Sequence, residues 1–191
     1  WKYFISVVFF FYQFCKYFRF STVSPLDIPK SSKIALAFST RATELISMEV
    51  INIKPNIWIT FPWVDSSYLA KDTVRFNIFN FLTFYDLILA FKLSLKSVFV
   101  FYKYYKNKGN ILQTYTAFTW FCSQLALQKI EGSFYFAEHF DRWAILIDTV
   151  SQNFKRKNVF VKLNLVQHGL VGDISINNKL IIPTKLSNVN C

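Results

Sequence analysis

The 191-residue sequence contains little glycine, proline or acidic side chain: four Gly, five Pro and eleven Asp plus Glu. So few glycines and prolines exclude a collagen-like or linker-type chain, and a hydrophobic content of 53% excludes an intrinsically disordered one. The 22 Lys and Arg leave a formal net charge of +11, and 20% of the residues are aromatic. The composition therefore predicts a packed, basic protein of about one domain.

Cysteine is also scarce, and the common catalytic motifs are missing. Cys15, Cys122 and Cys191 are widely spaced and form no CxxC pair or Cys/His cluster, which argues against a disulfide framework or a zinc site and favours a reducing compartment. The sequence has no GxGxxG, P-loop, GxSxG or HExxH, so nicotinamide enzymes, P-loop ATPases, α/β-hydrolases and zincins lose support. It has no Asp-x-Asp pair either, and we predict no metal site.

Residues 1–20 contain an uncharged run of 13 residues, from Tyr3 to Cys15, between Lys2 and Lys16. This run is shorter than a spanning helix and has no small-residue cleavage site, so it predicts an interfacial helix or a buried core helix. The sequence starts at Trp1 and shows no closing pattern after residue 186. We therefore treat it as part of a longer protein. A longer membrane-spanning segment that includes residues before Trp1 stays an alternative.

Strand and helix patterns alternate after residue 32. Residues 21–32 contain two prolines and four serines and predict a linker. We then predict strands over 33–38, 56–61, 134–137 and 159–166, and helices from Ser39 and Thr40 to about 51, over 111–130 and over 142–154. The prediction is an α/β fold with a Rossmann-like, mostly parallel sheet and flanking helices, preceded by an aromatic N-terminal helix.

The segment 77–106 is almost entirely apolar or aromatic and predicts one long helix. Its lysines, Lys92, Lys96, Lys103 and Lys106, fall on one arc of about 80°. This reverses the proportions of an ordinary surface helix. An internal helix whose lysines reach water, a helix in the interface of an anionic membrane and a nucleic-acid contact all remain open, the last being least favoured because the aromatics lie in apolar runs. We predict no nucleic-acid partner.

Polar residues follow four of the predicted strands, where the ligand crevice of an open α/β sheet lies. Both histidines of the chain belong to this set: Ser39, Thr40, Asp65, Glu138, His139, Asp141, Arg142, Gln167, His168 and Gly169, with Pro62 and Trp63 beside them. We predict Glu138, His139 and His168 as catalytic residues. The substrate-binding residues are predicted to be Ser39, Thr40, Asp141, Arg142, Gln167 and Gly169.

Each assignment has a chemical reason and a structural alternative. A carboxylate or imidazole at Glu138 or His139 can act as a general base, and Arg142 can pair with an anion. Alternatively, Asp141 only caps the following helix and Glu138 pairs with Arg142 across the turn. Gly169 permits a close backbone approach, while His168 is either directed to the crevice or is a structural histidine at a turn.

The segments YFAEHFDRWA (135–144), LVQHG (165–169) and IPTK (182–185) resemble bacterial surface-polysaccharide glycosyltransferases of capsule and O-antigen synthesis, of the two-Rossmann-domain GT-B type. The resemblance covers residues 33–190. It implies that 33–185 form the acceptor-side domain and that 186–191 begin the connection to a C-terminal nucleotide-sugar domain. It also implies a metal-independent enzyme without a cofactor, which takes a nucleotide sugar and a lipid-linked or polymer acceptor as substrates.

The resulting hypothesis is a cytoplasmic glycosyltransferase, peripheral to the inner face of the membrane and attracted to its anionic surface. A base among Glu138, His139 and His168 would deprotonate the acceptor hydroxyl, and Arg142 or the backbone near Gly169 would stabilise phosphate charge. Two alternatives stay open: a noncatalytic membrane-surface interaction module, and a glycerophosphate transferase of similar architecture.

Overall fold

A computed structural model of the protein describes residues 2–20, 28–30, 32–48, 54–65, 67, 69, 73–105, 114–137, 142–159 and 161–166. The chain divides into two units. The sheet unit consists of residues 28–77 and 130–191, and the helical unit of residues 1–27 and 78–129. Residues 78–129, which lie within the predicted range 33–185, therefore belong to the helical unit. The predicted connection 186–191 and most of the predicted linker 21–32 lie outside the described residues.

Within its described residues, the sheet unit contains five parallel strands in the order β3-β2-β1-β4-β5. They are β1 (Lys33–Ala37), β2 (Ile57–Thr60), β3 (Arg75–Asn77), β4 (Ser133–Phe136) and β5 (Lys162–Leu165). β1 and β2 are buried along almost their whole length, as expected for strands covered on both faces. The predicted fold class, an α/β fold with a Rossmann-like parallel sheet, is confirmed.

Two helices of the sheet unit follow strands: α2 (Thr40–Met48) follows β1, and α5 (Arg142–Arg156) connects β4 to β5. α5 buries one face at helical spacing, as its sequence predicts, through Trp143, Ala144, Leu146, Ile147, Val150, Ser151 and Phe154. Small residues let the first turn of α2 approach the sheet, since Ala35, Ala37 and Ala42 share one buried cluster with Trp58. This packing fixes where each helix starts relative to the strand ends.

The sequence pattern misses one strand and places the start of another too early. It does not predict β3, because three residues are too few to show a periodic pattern. β5 begins at Lys162 rather than at 159, since the chain is still completing the turn that ends α5. Asn158 has a left-handed backbone (φ 55°), and the Val159 N–H donates to the Phe154 carbonyl at 3.0 Å.

The helical unit contains α1 (Lys2–Phe18), α3 (Phe84–Tyr105) and α4 (Ala117–Leu127), with 3-10 turns at Ile78–Phe81 and Thr114–Thr116. The helix predicted over 77–106 thus begins only at Phe84. Thr83 and Asp86 form a capping box there: the Asp86 N–H donates to Thr83 Oγ1 (3.4 Å), and the Thr83 N–H donates to Asp86 Oδ2 (2.6 Å). Among the described residues, no helix combines the length and the apolar character needed to cross a membrane.

Candidate functional site

The direction of strand addition reverses between β1 and β4. The chain adds β2 and β3 on one side of β1, and adds β4 and β5 on the other. Because all the strands are parallel, their carboxyl ends meet at one edge, and open α/β sheets bind ligands at such a reversal. We call this the carboxyl edge and define it by the described residues that follow β1, β2 and β4: 38–40, 61–65, 137 and the start of α5 at 142–143.

The predicted residues Ser39 and Thr40 both lie at the carboxyl edge and bond to backbone there. Ser39 caps α2, since its Oγ accepts from the Ala42 N–H at 3.0 Å. Its carbonyl accepts from both the N–H and the Oγ1 of Thr43. Thr40 Oγ1 accepts from the Asp65 N–H at 3.3 Å, so it joins the loop after β1 to the loop after β2. These bonds hold the two loops in a fixed relation.

Four aromatic rings from three segments pack together at this edge: Phe38, Phe61, Trp63 and Trp143. We call them the aromatic cluster. The Phe38 and Phe61 ring centroids are 4.7 Å apart, and Trp143 stacks on Phe38 at 5.2 Å and on Trp63 at 5.7 Å. Phe38, Phe61 and Trp143 are buried, but 45% of Trp63 is exposed. The carboxyl edge therefore carries an exposed indole that packs on three buried aromatic rings.

Trp63 is held in a fixed orientation. Its Nε1–H donates to the Phe38 carbonyl at 3.0 Å, and its ring lies 4.8 Å from the Phe61 ring. The Arg142 guanidinium lies 4.9 Å from the centre of the Trp143 ring, within the range of a cation–π interaction. The described part of the carboxyl edge thus combines an oriented aromatic surface with one cation.

Such an arrangement suits a ligand with an apolar face and a negative charge. An indole ring stacks on the flat C–H face of a sugar or on a nucleobase, and a guanidinium binds phosphate or carboxylate through paired N–H donors. Among the described residues, no three His, Cys, Asp or Glu side chains are grouped so that they could hold a metal ion. The chemistry at the described edge is stacking, hydrogen bonding and charge pairing.

Most of the predicted catalytic and substrate-binding residues lie outside the described part of the chain: Glu138, His139, Asp141, Gln167, His168 and Gly169. The strands before them are neighbours, since β4 and β5 pair from Ser133 with Lys162 to Phe136 with Leu165. The Val166 N–H also donates to the Phe136 carbonyl at 2.8 Å, so β4 and β5 are still paired where they end at the carboxyl edge. The roles of the six residues stay predictions.

Sequence reasoning missed the aromatic cluster. The sequence places Trp63 after a predicted strand and Trp143 in the helix predicted over 142–154, and nothing in it connects the two. One signal pointed to the cluster: each of the first two predicted strands ends in an aromatic residue, Phe38 and Phe61. Periodicity within one segment cannot reveal rings that three segments bring together.

No protein-family model matches the chain, and comparisons with curated proteins and with solved structures find no match either. The geometry of the carboxyl edge and the sequence itself are therefore the observations that bear on function.

Proposed function

We propose that the protein is a glycosyltransferase that moves a sugar from a nucleotide sugar to a lipid-linked or polymer acceptor in bacterial surface polysaccharide synthesis. In this proposal the sheet unit binds the acceptor at its carboxyl edge. The observation that carries the proposal is Trp63, an exposed indole fixed beside the reversal point of a parallel sheet.

A fixed, exposed indole supports saccharide binding for two reasons. A pyranose ring has hydroxyls around its rim and C–H groups on its faces, so a flat apolar ring complements one face and leaves the hydroxyls to polar groups. The Trp63 ring is already held by the Phe38 carbonyl and by the Phe61 and Trp143 rings, so a ligand need not order it on binding. Leaving 45% of a tryptophan in water contributes little to a core, which favours a binding role.

Arg142 supports an anionic part of the ligand. A guanidinium stacks through its face and donates hydrogen bonds around its rim, so its position on the Trp143 ring is compatible with phosphate binding. Both substrates of the proposed reaction carry phosphate: the nucleotide sugar has a diphosphate, and so does a typical lipid-linked saccharide. The proposed role of Arg142 is therefore to bind substrate phosphate.

The proposed reaction is a direct displacement at the anomeric carbon. A base among Glu138, His139 and His168 takes the proton of the acceptor hydroxyl as its oxygen forms the new bond to that carbon. The bond from the carbon to the diphosphate oxygen breaks, and the nucleoside diphosphate leaves with the electron pair. Arg142 stabilises the charge that develops on the phosphate.

A transfer assay with labelled nucleotide sugars and lipid-linked acceptors tests this function. We expect transfer by the full-length enzyme, in which this chain is joined to the nucleotide-sugar domain that the resemblance implies. At least one of its variants Glu138→Gln, His139→Ala and His168→Ala should show a decrease of about 10²- to 10⁴-fold, since a positioned base contributes about that much. Lys155→Ala, an exposed change in the last turn of α5, is the matched control and should keep wild-type activity. Undiminished transfer in all three variants would show that the base is elsewhere, and absence of transfer with every donor would contradict the proposal.

A further inference from the structure

The polarity of α1 is inverted relative to that of an ordinary surface helix. Its exposed side chains are almost all apolar, with Phe11 exposed to 64% and Phe4 to 63%. At 100° per residue the exposed apolar and aromatic set spreads over about 180° of the helix surface. We call it the α1 face: Phe4, Ile5, Val8, Phe9, Phe11, Tyr12 and Phe18.

The opposite side of α1 is buried and carries the uncharged polar side chains Ser6 and Gln13 beside the buried Phe10 ring. Ser6 Oγ and Thr114 Oγ1 are 2.7 Å apart, and Thr119 Oγ1 accepts from Gln13 Nε2 at 2.8 Å and bonds with Tyr17 Oη at 3.1 Å. Burial, partly offset by the Thr119 hydrogen bond, raises the pKa of Tyr17 to about 12, so its hydroxyl stays protonated. Polar contacts inside and apolar side chains outside are the pattern of helices that pack in an apolar surrounding.

The α1 face continues onto α3. Phe18 and Phe84 are both exposed, and their ring centroids lie 5.7 Å apart. Beyond Phe84, α3 exposes Lys92, Lys96 and Lys103 together with further apolar and aromatic side chains. The apolar surface therefore borders a row of cations.

The charge of the helical unit indicates what covers this surface. Within its described residues the sequence has seven Lys and Arg and one carboxylate, Asp86, which is bonded to Lys129. A second copy of the same face would bring cation against cation. An anionic lipid bilayer supplies both an apolar phase and negative charge, and it needs no specific hydrogen bonds from a face that offers almost none.

We propose that α1 lies in the headgroup region of an anionic lipid bilayer, with the α1 face directed into the acyl chains. At 17 residues the helix is about 25 Å long, short of the roughly 30 Å hydrocarbon core, so it lies along the membrane plane. Lys16, Arg19 and the α3 lysines contact the headgroups. The proposal concerns the helical unit alone and does not depend on sugar transfer.

Cys15 provides a direct test, because it lies among the α1-face residues and is exposed. The other described cysteine, Cys122, is buried; burial and then the nearby Asp86 charge raise the pKa of its thiol well above the ordinary value, which keeps it unreactive. In a chain carrying Cys191→Ser, Cys15 is labelled with the environment-sensitive dye NBD and mixed with vesicles containing phosphatidylglycerol. We expect a blue shift of the emission and protection from iodide quenching, both weaker at high salt.

The control label is on Gln152→Cys in a Cys15→Ser, Cys191→Ser chain, at an exposed position of α5 in the sheet unit. It should show no shift. No shift at Cys15 would overturn the proposal, as would equal binding to vesicles of phosphatidylcholine alone. A shift that appears without vesicles and grows with protein concentration would assign the face to a second copy instead, and would overturn it too.

Matched variants separate this surface from general stickiness. Phe11→Ser should weaken vesicle binding about tenfold or more, while Ile145→Ser, an equally apolar exposed position on α5, should change it less than about twofold. Lys96→Gln should weaken binding about fivefold, and Lys155→Gln much less. All four side chains are exposed or half-exposed, so the fold tolerates the changes. Equal effects within either pair would contradict the assignment.

Discussion

At the scale of single residues, Asp86 supports both the start of α3 and a contact with α4. Its carboxylate accepts from the N–H and the Oγ1 of Thr83 and pairs with Lys129 just beyond α4. Burial alone would raise the pKa of Asp86, but the hydrogen bonds from Lys129 and Thr83 outweigh it and hold the pKa below its ordinary value of 3.8. The charged form is therefore favoured by folding.

This lowered pKa predicts an acid-sensitive contribution to stability. Its contribution is complete above the unfolded-state pKa near 3.8 and is lost as the pH falls through the lower folded-state pKa. Asp86→Asn should lower the free energy of unfolding by about 1 kcal/mol at pH 7, and the difference from wild type should vanish in strong acid. Chemical denaturation at a series of pH values measures this. A difference that stays constant down to the lowest pH would contradict the assignment, and Lys129→Met should reduce the same pH dependence.

At the scale of elements, the start of β4 depends on Gly132. A Cβ at this position would lie 2.7 Å from the Ser32 carbonyl oxygen, and the backbone has φ 156°. That same carbonyl accepts from the Ser133 N–H at 3.0 Å, which begins the pairing of β4 beside β1. Close backbone approach here requires a residue without a side chain.

Gly132→Ala should therefore lower the free energy of unfolding by about 1–3 kcal/mol, because the backbone of β4 must move away from Ser32. Glu131→Ala is the matched neighbour. It removes only an exposed ion pair with Lys30 at 3.0 Å, and should change stability by less than about 1 kcal/mol. Urea unfolding of the two variants gives the comparison. Equal stabilities would contradict the role assigned to the close approach.

The elements differ in how far their sequences predict them. β1, β2, β4 and α5 follow from apolar runs, turn residues and helical spacing, all of which are local. The start of α3 could also have been predicted, since Thr83 and Asp86 have capping-box spacing. The apolar pattern extends on both sides of this pair, so the helix was predicted to begin too early. β3 is defined by its pairing with β2 rather than by its own three residues. A strand this short can be predicted only when the strand it pairs with is known.

At the scale of the whole molecule, the same limit applies to the site. The strand-end rule located Ser39, Thr40 and Arg142 at one edge because parallel strands align their carboxyl ends. It could not find the aromatic cluster, whose four rings come from the ends of two strands, a loop and a helix. The division into a sheet unit and a helical unit was equally invisible, because helical periodicity does not tell which partner a helix packs against.

The central claim is that the carboxyl edge binds a saccharide through Trp63. Dissociation constants for oligosaccharides of bacterial surface polysaccharides, measured by saturation-transfer difference NMR on the wild-type chain, Trp63→Ala and Met48→Ala, test it most directly. Met48 is an exposed apolar residue at the opposite end of α2 and serves as the control. We expect binding by wild type and Met48→Ala, and a loss of about tenfold or more in Trp63→Ala. Equal affinity in all three proteins, or no binding to any saccharide, would contradict the account.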